Sequence, residues 1–155
     1  MVSENTVIVR LMLSVILGGL IGFERQMHRR TAGLRTNILV SLGSCLIMLV
    51  SQYIFEIYRN EVNVDPSRIA SSIITGIGFL GAGAIIRERD KEVVRGLTTA
   101  ACLWVVAGIG MAVGCGFYSA ALVTTAFTLI VLFFLRYFEG ILFKAPKDEN
   151  EGGDR

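Results

Sequence analysis

The run GLTTAACLWVVAGIGMAVGCGFYSAALVTTAFTLIVLFFL, residues 96–135, contains no Asp, Glu, Lys or Arg over 40 positions. As one helix it would measure about 60 Å at about 1.5 Å per residue, roughly twice the ~30 Å hydrocarbon core of a bilayer. Gly114-Cys115-Gly116 near its middle supplies a turn. The run therefore reads as two membrane spans, 97–113 and 117–135.

Working outward, charge is also missing from Leu11 to Phe23, from Thr36 to Phe55 and from Ile69 to Ile86. A spanning helix needs about 20 mostly apolar residues, which gives spans at 36–55 and 69–86. Extending the first gap back to Val7 costs one charge, Arg10, whose stem can snorkel to the interface from a helix end. Five transmembrane helices result, at 7–23, 36–55, 69–86, 97–113 and 117–135. A cleavable signal peptide fits the first segment poorly, because the basic cluster follows the apolar stretch and Gly22-Phe23-Glu24 offers no small-x-small site.

Composition agrees. The chain has 155 residues, 53% hydrophobic and 18% charged, against roughly 25% charged in ordinary globular chains. A net charge of +2 is too small for a broad nucleic-acid-binding surface, and three scattered cysteines make no disulfide scaffold.

Twelve of the 15 Lys and Arg residues fall in connection 24–35, connection 87–95 and the tail, against Arg10, Arg59 and Arg68 on the other side. The positive-inside rule then sets the N-terminus outside and the C-terminus in the cytoplasm. The expected fold is an all-α integral membrane protein, with a five-helix membrane domain over residues 1–138. Tyr53 and Tyr58, and at the other interface Tyr137 and Phe138, fall at depths that favour amphipathic aromatics. Arg136–Lys147 reads as a short helix on the inner leaflet, and residues 139–155 as an interfacial, then disordered, cytoplasmic tail.

Gly76-Ile77-Gly78-Phe79-Leu80-Gly81 has the letters of a dinucleotide fingerprint but lies inside an uncharged span, with no strand before it. Helix packing is the better reading, since small residues form the contact surface between membrane helices. Ser72, Gly76 and Gly83 share one stripe, and Gly78 and Ala82 another, which marks span three as the central helix. Gly18 and Gly22 in span one, and Gly110 and Gly114 in span four, repeat the spacing, so Gly22, Gly76, Gly78, Gly81 and Gly83 are candidate packing glycines.

Sharper chemistry lies at the helix ends on the cytoplasmic side. Glu24 and Arg25 end span one, Arg35, Thr36 and Asn37 begin span two, and Arg95, Thr98 and Thr99 begin span four. The threonines suit helix caps. If the ends converge, Arg35 and Arg95 flank Glu24, either as an ionic lock or as a site for an ion or partner. Gly33-Leu34-x-Thr36 and Gly96-Leu97-x-Thr99 stand 63 residues apart, as do Gly18 and Gly81, which suggests a tandem repeat of one hairpin.

No Asp, Glu, Lys or Arg falls at mid-bilayer, where ion relays usually keep one. Glu88, Asp90 and Glu92 alternate with basic residues in a self-neutralised loop, and His28 reads as a surface residue. Trp104 falls at mid-depth and needs an acceptor, such as Ser71, Ser72 or Thr75. No nucleophile–base pair, zinc spacing or acidic pair is present, so no enzyme activity, metal site or cofactor is expected.

Gly22-Phe23-Glu24-Arg25-Gln26, Gly33-Leu34-Arg35-Thr36-Asn37, Gly76–Gly83 and Arg95-Gly96-Leu97-Thr98-Thr99-Ala100-Ala101 carry a family resemblance. Over about residues 7–135 the sequence resembles the MgtC/SapB family of bacterial inner-membrane proteins. The resemblance implies a five-helix domain in the bacterial plasma membrane. It also implies links to low-magnesium adaptation and to survival in host macrophages. Some members are described as magnesium transporters, whereas others act as regulators that bind membrane complexes such as the F-type ATP synthase. Longer members carry a soluble C-terminal domain where this sequence has about 20 residues after the last span, so roles of that domain are not expected here.

Two functions follow. The first is a non-catalytic regulator acting through helix contacts with itself, most simply as a two-fold dimer, or with another membrane complex. The alternative is a small homo-oligomeric transporter or channel for Mg²⁺, another cation or a solute, using Ser71, Ser72, Thr75, Thr98 and Thr99 with Glu24 at its exit.

Overall fold

The computed structural model describes residues 3–60, 65, 67–87 and 94–142. Ser3 starts the first helix, its Oγ accepting the Thr6 N–H at 3.3 Å as an N-cap does. Five helices follow: α1 (Glu4–Met27), α2 (Leu34–Tyr58), α3 (Ser67–Ala84), α4 (Leu97–Cys115) and α5 (Tyr118–Leu142). Of these, α1, α2 and α4 are long and apolar enough to cross a membrane, and α5 is apolar from Tyr118 to Phe134. Their exposed faces are rich in Ile, Leu, Val and Phe, as surfaces that meet lipid must be.

Each helix starts or stops for a local reason. Gly116 (φ +83°) ends α4, its N–H reaching the Ala112 and Val113 carbonyls, while Phe117 N–H returns to Ala112 O at 2.8 Å. This is the left-handed glycine cap that lets a long apolar run double back. Before α3, the Asp65 carboxylate accepts the Ser67 N–H at 2.8 Å and its hydroxyl at 2.6 Å, which holds the Asp65 pKa below its ordinary value. A lowered carboxylate pKa supports the fold above the unfolded value and loses that support as pH falls through the folded one.

The expected threonine caps are replaced by glycines. Gly33 and Gly96 occupy the N-cap positions of α2 and α4, with no side-chain cap bond at either. At α2 the role passes to Gln26 of α1, whose Oε1 accepts the Leu34 N–H at 3.0 Å. At α4 the chain arrives from a two-stranded antiparallel ribbon, β1 (Ile86–Arg87) and β2 (Val94–Arg95). Gly96 then turns at φ +93°, where a Cβ would run into the Ala84 carbonyl. Span three therefore ends at Ala84 rather than residue 86, and the last helix continues past residue 135 to Leu142. The acidic residues of the loop (Glu88, Asp90 and Glu92), the side chains of Tyr137 and Phe138, and the tail from residue 143 lie outside the described residues.

The helix at the centre is α4, not the third span as its glycines suggested. It packs against α1, α2, α3 and α5 and buries Cys102, Val106, Ile109 and Val113 against Leu17, Ile21, Cys45 and Leu49. A Cβ on Gly110 would enter the backbone of Ser41 in α2, and one on Gly114 would approach Cys45 O at 2.8 Å. A Cβ on Gly18 of α1 would lie 2.7 Å from Ser41 Cβ. These small residues let three backbones meet. By contrast α3 buries only Ala70, Ile73, Ile77 and Gly81, and Gly76, Gly78 and Gly83 have nothing within 4 Å of where a Cβ would stand. Gly18 packs over Asn37 and Gly81 over Ala100, again positions 63 residues apart, so the two hairpins share a contact as well as a spacing.

Arg10 does not reach freely to an interface. Its Nη1 donates to Gln52 Oε1 at 3.0 Å and to the Gly114 carbonyl at 2.7 Å, and its Nε donates to the Tyr118 hydroxyl at 3.1 Å. One side chain of α1 thus ties α2, the end of α4 and the start of α5.

Gly108 and Gly110 offer a controlled comparison on one helix. Gly110→Ala is expected to lower stability by about 1–3 kcal/mol through backbone overlap, whereas Gly108→Ala, with open space around it, is expected to be neutral or slightly stabilising. Thermal unfolding of the purified protein in detergent checks both.

Candidate functional site

The end of the bundle where α1 finishes and α2 and α4 begin carries Arg25, Arg29, Arg30, Arg35 and Arg95. Here α1 runs past its apolar stretch and takes two charged side chains inward: Glu24 is 3% exposed and Arg25 4%. His28, one turn after Glu24, places Nδ1 at 2.9 Å from Glu24 Oε1 and 2.9 Å from the Glu24 carbonyl. The His28 ring also meets Phe133 of α5 edge-on, with centroids 6.2 Å apart. Arg25 Nη2 donates to Thr99 Oγ1 of α4 at 3.3 Å, and Thr31 Oγ1 donates to the same oxygen at 3.5 Å.

Asn37 anchors the connection between α1 and α2. Fully buried, it donates from Nδ2 to the carbonyls of Ala32 at 3.0 Å and Gly33 at 2.8 Å. Gly22 allows this, because a Cβ there would press on Leu34 and Asn37 at 2.8–3.0 Å. Ser41 lies one turn further along α2 and is also fully buried.

Four buried polar atoms in this region have no hydrogen-bond partner: Glu24 Oε2, Arg25 Nε, Asn37 Oδ1 and Ser41 Oγ. Each such atom costs about 1–3 kcal/mol if left unmade. Buried polar groups are otherwise almost always satisfied, and among the described residues the exceptions gather in this cluster. Among the described residues no group of three or more His, Cys, Asp or Glu is placed to hold a metal ion. The cluster offers one carboxylate, Glu24, beside the Arg25 guanidinium and neutral oxygen donors.

The sequence-based cluster is thus brought together only in part. Glu24, Arg25, Asn37 and Thr99 converge. Arg35 and Thr36 are exposed and line a groove between α2 and α3, and Thr98 lines a separate cavity between α4 and α5. Arg95 is exposed on β2. The close side-chain partner of Glu24 is His28, not Arg35 or Arg95, because Arg35 sits on the far side of α2 from Asn37. His28, Thr31 and Ser41 were missed. The four-residue spacings Glu24–His28 and Asn37–Ser41, which put side chains on one helix face, were the available signal.

The other polar expectations also shift. Ser71 and Ser72 are exposed and donate to carbonyls of their own helix, those of Arg68 and Ile69, and among the described residues no hydrogen bond joins either to Trp104. Trp104 is 56% exposed and lies beside Ile73, Ile74 and Ile77. Cys45 and Cys102 are buried and Cys115 exposed, all as free thiols.

The sequence profile described as the MgtC family matches residues 11–141, which takes in every residue of the buried cluster. The chain belongs to the MgtC family. It is 49% identical over 127 residues to YhiD of Escherichia coli (strain K12), which carries the name of a proposed magnesium transporter; the match covers 81% of this chain and 58% of YhiD. SapB of Bacillus subtilis (strain 168) is 39% identical over 135 residues, covering 85% of this chain and 57% of SapB. MgtC of Brucella abortus (strain 2308) is 46% identical over 121 residues, covering 78% of this chain and 48% of that protein. The chain therefore spans about half to three-fifths of these relatives' length. No solved structure matches it.

Thr99→Val keeps the shape of the side chain while removing the acceptor of Arg25. It is expected to destabilise this MgtC-family chain by about 1–3 kcal/mol, read from the unfolding midpoint, with Thr98→Val as the exposed control.

Proposed function

We propose that the chain is a non-catalytic, multi-pass protein of the bacterial plasma membrane. In this reading all five helices cross the bilayer, the N-terminus is outside and the basic end faces the cytoplasm, as the charge bias favours. It acts by helix contact with a second copy or another membrane complex, in the magnesium physiology to which a relative's name points.

The observation that carries this reading is the bare outer side of α3. Gly78 and Ala82 are exposed beside Ser71 and Thr75, and nothing lies within 4 Å of a Cβ at Gly78. In lipid there is no hydrophobic drive between helices, so a smooth face that permits close backbone approach is what favours association. Gly78→Leu leaves the fold unobstructed and covers that face. It is expected to shift a dimer to monomer, or to abolish capture of the partner complex, in cross-linking and light scattering. Unchanged assembly by a folded Gly78→Leu protein overturns the contact surface.

The transporter reading is favoured by one other observation, the buried Glu24 with its unpartnered Oε2 among Arg25, Asn37 and Ser41. Liposomes containing the protein separate the two functions. Saturable Mg²⁺, K⁺ or proton flux that disappears in Glu24→Gln establishes transport, and tight vesicles with folded protein favour regulation.

A further inference from the structure

Arg35 and Thr36 head a groove of ≈530 Å³ between α2 and α3, floored by Leu39, Gly43, Ile47, Ile73, Gly76 and Leu80. We propose that this groove holds one acyl chain of an anionic phospholipid, whose headgroup phosphate is bound by Arg35.

Three features select that occupant. The first is length. The groove follows α2 from Arg35 to Ile47, and these twelve residue steps make about 18 Å at about 1.5 Å each. One leaflet contributes about 15 Å of a ~30 Å hydrocarbon core, so the groove runs from an interface to about the bilayer midplane. A second helix of the same length as α3 would need a contact surface continuing through both leaflets.

The second feature is the order of its chemistry. Charge stands at one end, with Arg35 beside Thr36, and the walls beyond are mostly aliphatic side chains and glycine, with two serines, Ser44 and Ser72, among them. A phospholipid has the same order, an anionic head followed by a long apolar chain. Among the described residues Arg35 forms no ion pair, so its guanidinium is available to a phosphate, which it matches bidentately. The first turn of α2, whose N-cap is a glycine, adds a positive dipole end at the same point.

The third feature is that the groove is open for want of side chains rather than for want of neighbours. Gly43 on α2 and Gly76 on α3 face each other across it, and a Cβ at either would meet nothing within 4 Å. The two glycines keep clear a channel that larger residues would close without disturbing the helices. This groove lies on a different side of α3 from Gly78, so the inference stands apart from the proposed contact surface.

Native mass spectrometry of the full chain, with dioleoyl-phosphatidylglycerol and dioleoyl-phosphatidylcholine in competition, tests the assignment. The wild type is expected to retain one phosphatidylglycerol per protomer, in preference of about fivefold from a single arginine at the membrane surface. Arg35→Gln is expected to keep a bound lipid but lose the fivefold preference. Gly76→Leu, and independently Gly43→Leu, are expected to lose the bound lipid of either kind while their unfolding midpoints stay at or above that of the lipid-free wild type. The proposal is overturned if headgroup preference survives Arg35→Gln, or if folded leucine variants retain lipid as the wild type does. Loss of a second protomer instead of a lipid in those variants also overturns it and assigns the groove to another copy of the chain.

Discussion

Ser41 is held between two glycines. Gly18 of α1 and Gly110 of α4 each approach it so closely that neither could carry a side chain without displacement, and from this contact the rest of the arrangement follows. It brings α1, α2 and α4 together at backbone distance, where dispersion and packing replace the hydrophobic drive that lipid does not supply. With three helices fixed this way, α4 takes the centre and α5 packs on its remaining side. The third helix is left at the edge, resting on Ile73, Ile77 and Gly81. Its other glycines are left unpacked, with an open face at Gly78 and a groove at Gly76.

The same packing accounts for the different states of charge at the two ends. Arg10 is buried only in part, and its partners are a side-chain amide, a phenol and the carbonyl at the C-terminal end of α4, where the helix dipole favours a cation. Its role is to join helices. At the opposite end Glu24 and Arg25 are almost wholly buried, yet each keeps a polar atom without a partner. Burying a charged group at that depth is costly unless its remaining polar atoms are satisfied. The contrast is between a side chain whose donors are used and two whose buried polar atoms are not.

Much of the architecture was legible along the chain, because lipid imposes a one-dimensional rule: a span must be long and uncharged, and a turn between spans needs glycine or charge. Gly114-Cys115-Gly116 was placed as a turn for that reason and is one. The convergence of Glu24, Asn37 and Thr99 was readable as well, since all three stand at helix ends on one side. What misled was composition without direction. The glycine density of the third span suggested a centre, but glycines show that an approach is possible, not whether a neighbour uses it. Arg35 stood beside Asn37 in sequence and was grouped with it, although two residues on a helix put side chains on different faces.

The sequence by itself determined the helices, their approximate ends, the membrane setting, the asymmetry of charge and membership of the MgtC family, because each depends on residue type and spacing alone. Only the tertiary structure decided that α4 is the core, that Arg10 is tied down, that His28 rather than an arginine pairs with Glu24, and that Arg35 opens onto a groove. Those outcomes depend on which small residue meets which backbone and on how each helix is rotated about its own axis. Rotation of a helix that is apolar all round is set by its neighbours' shapes, since lipid and protein interior are nearly equivalent surroundings for an aliphatic side chain.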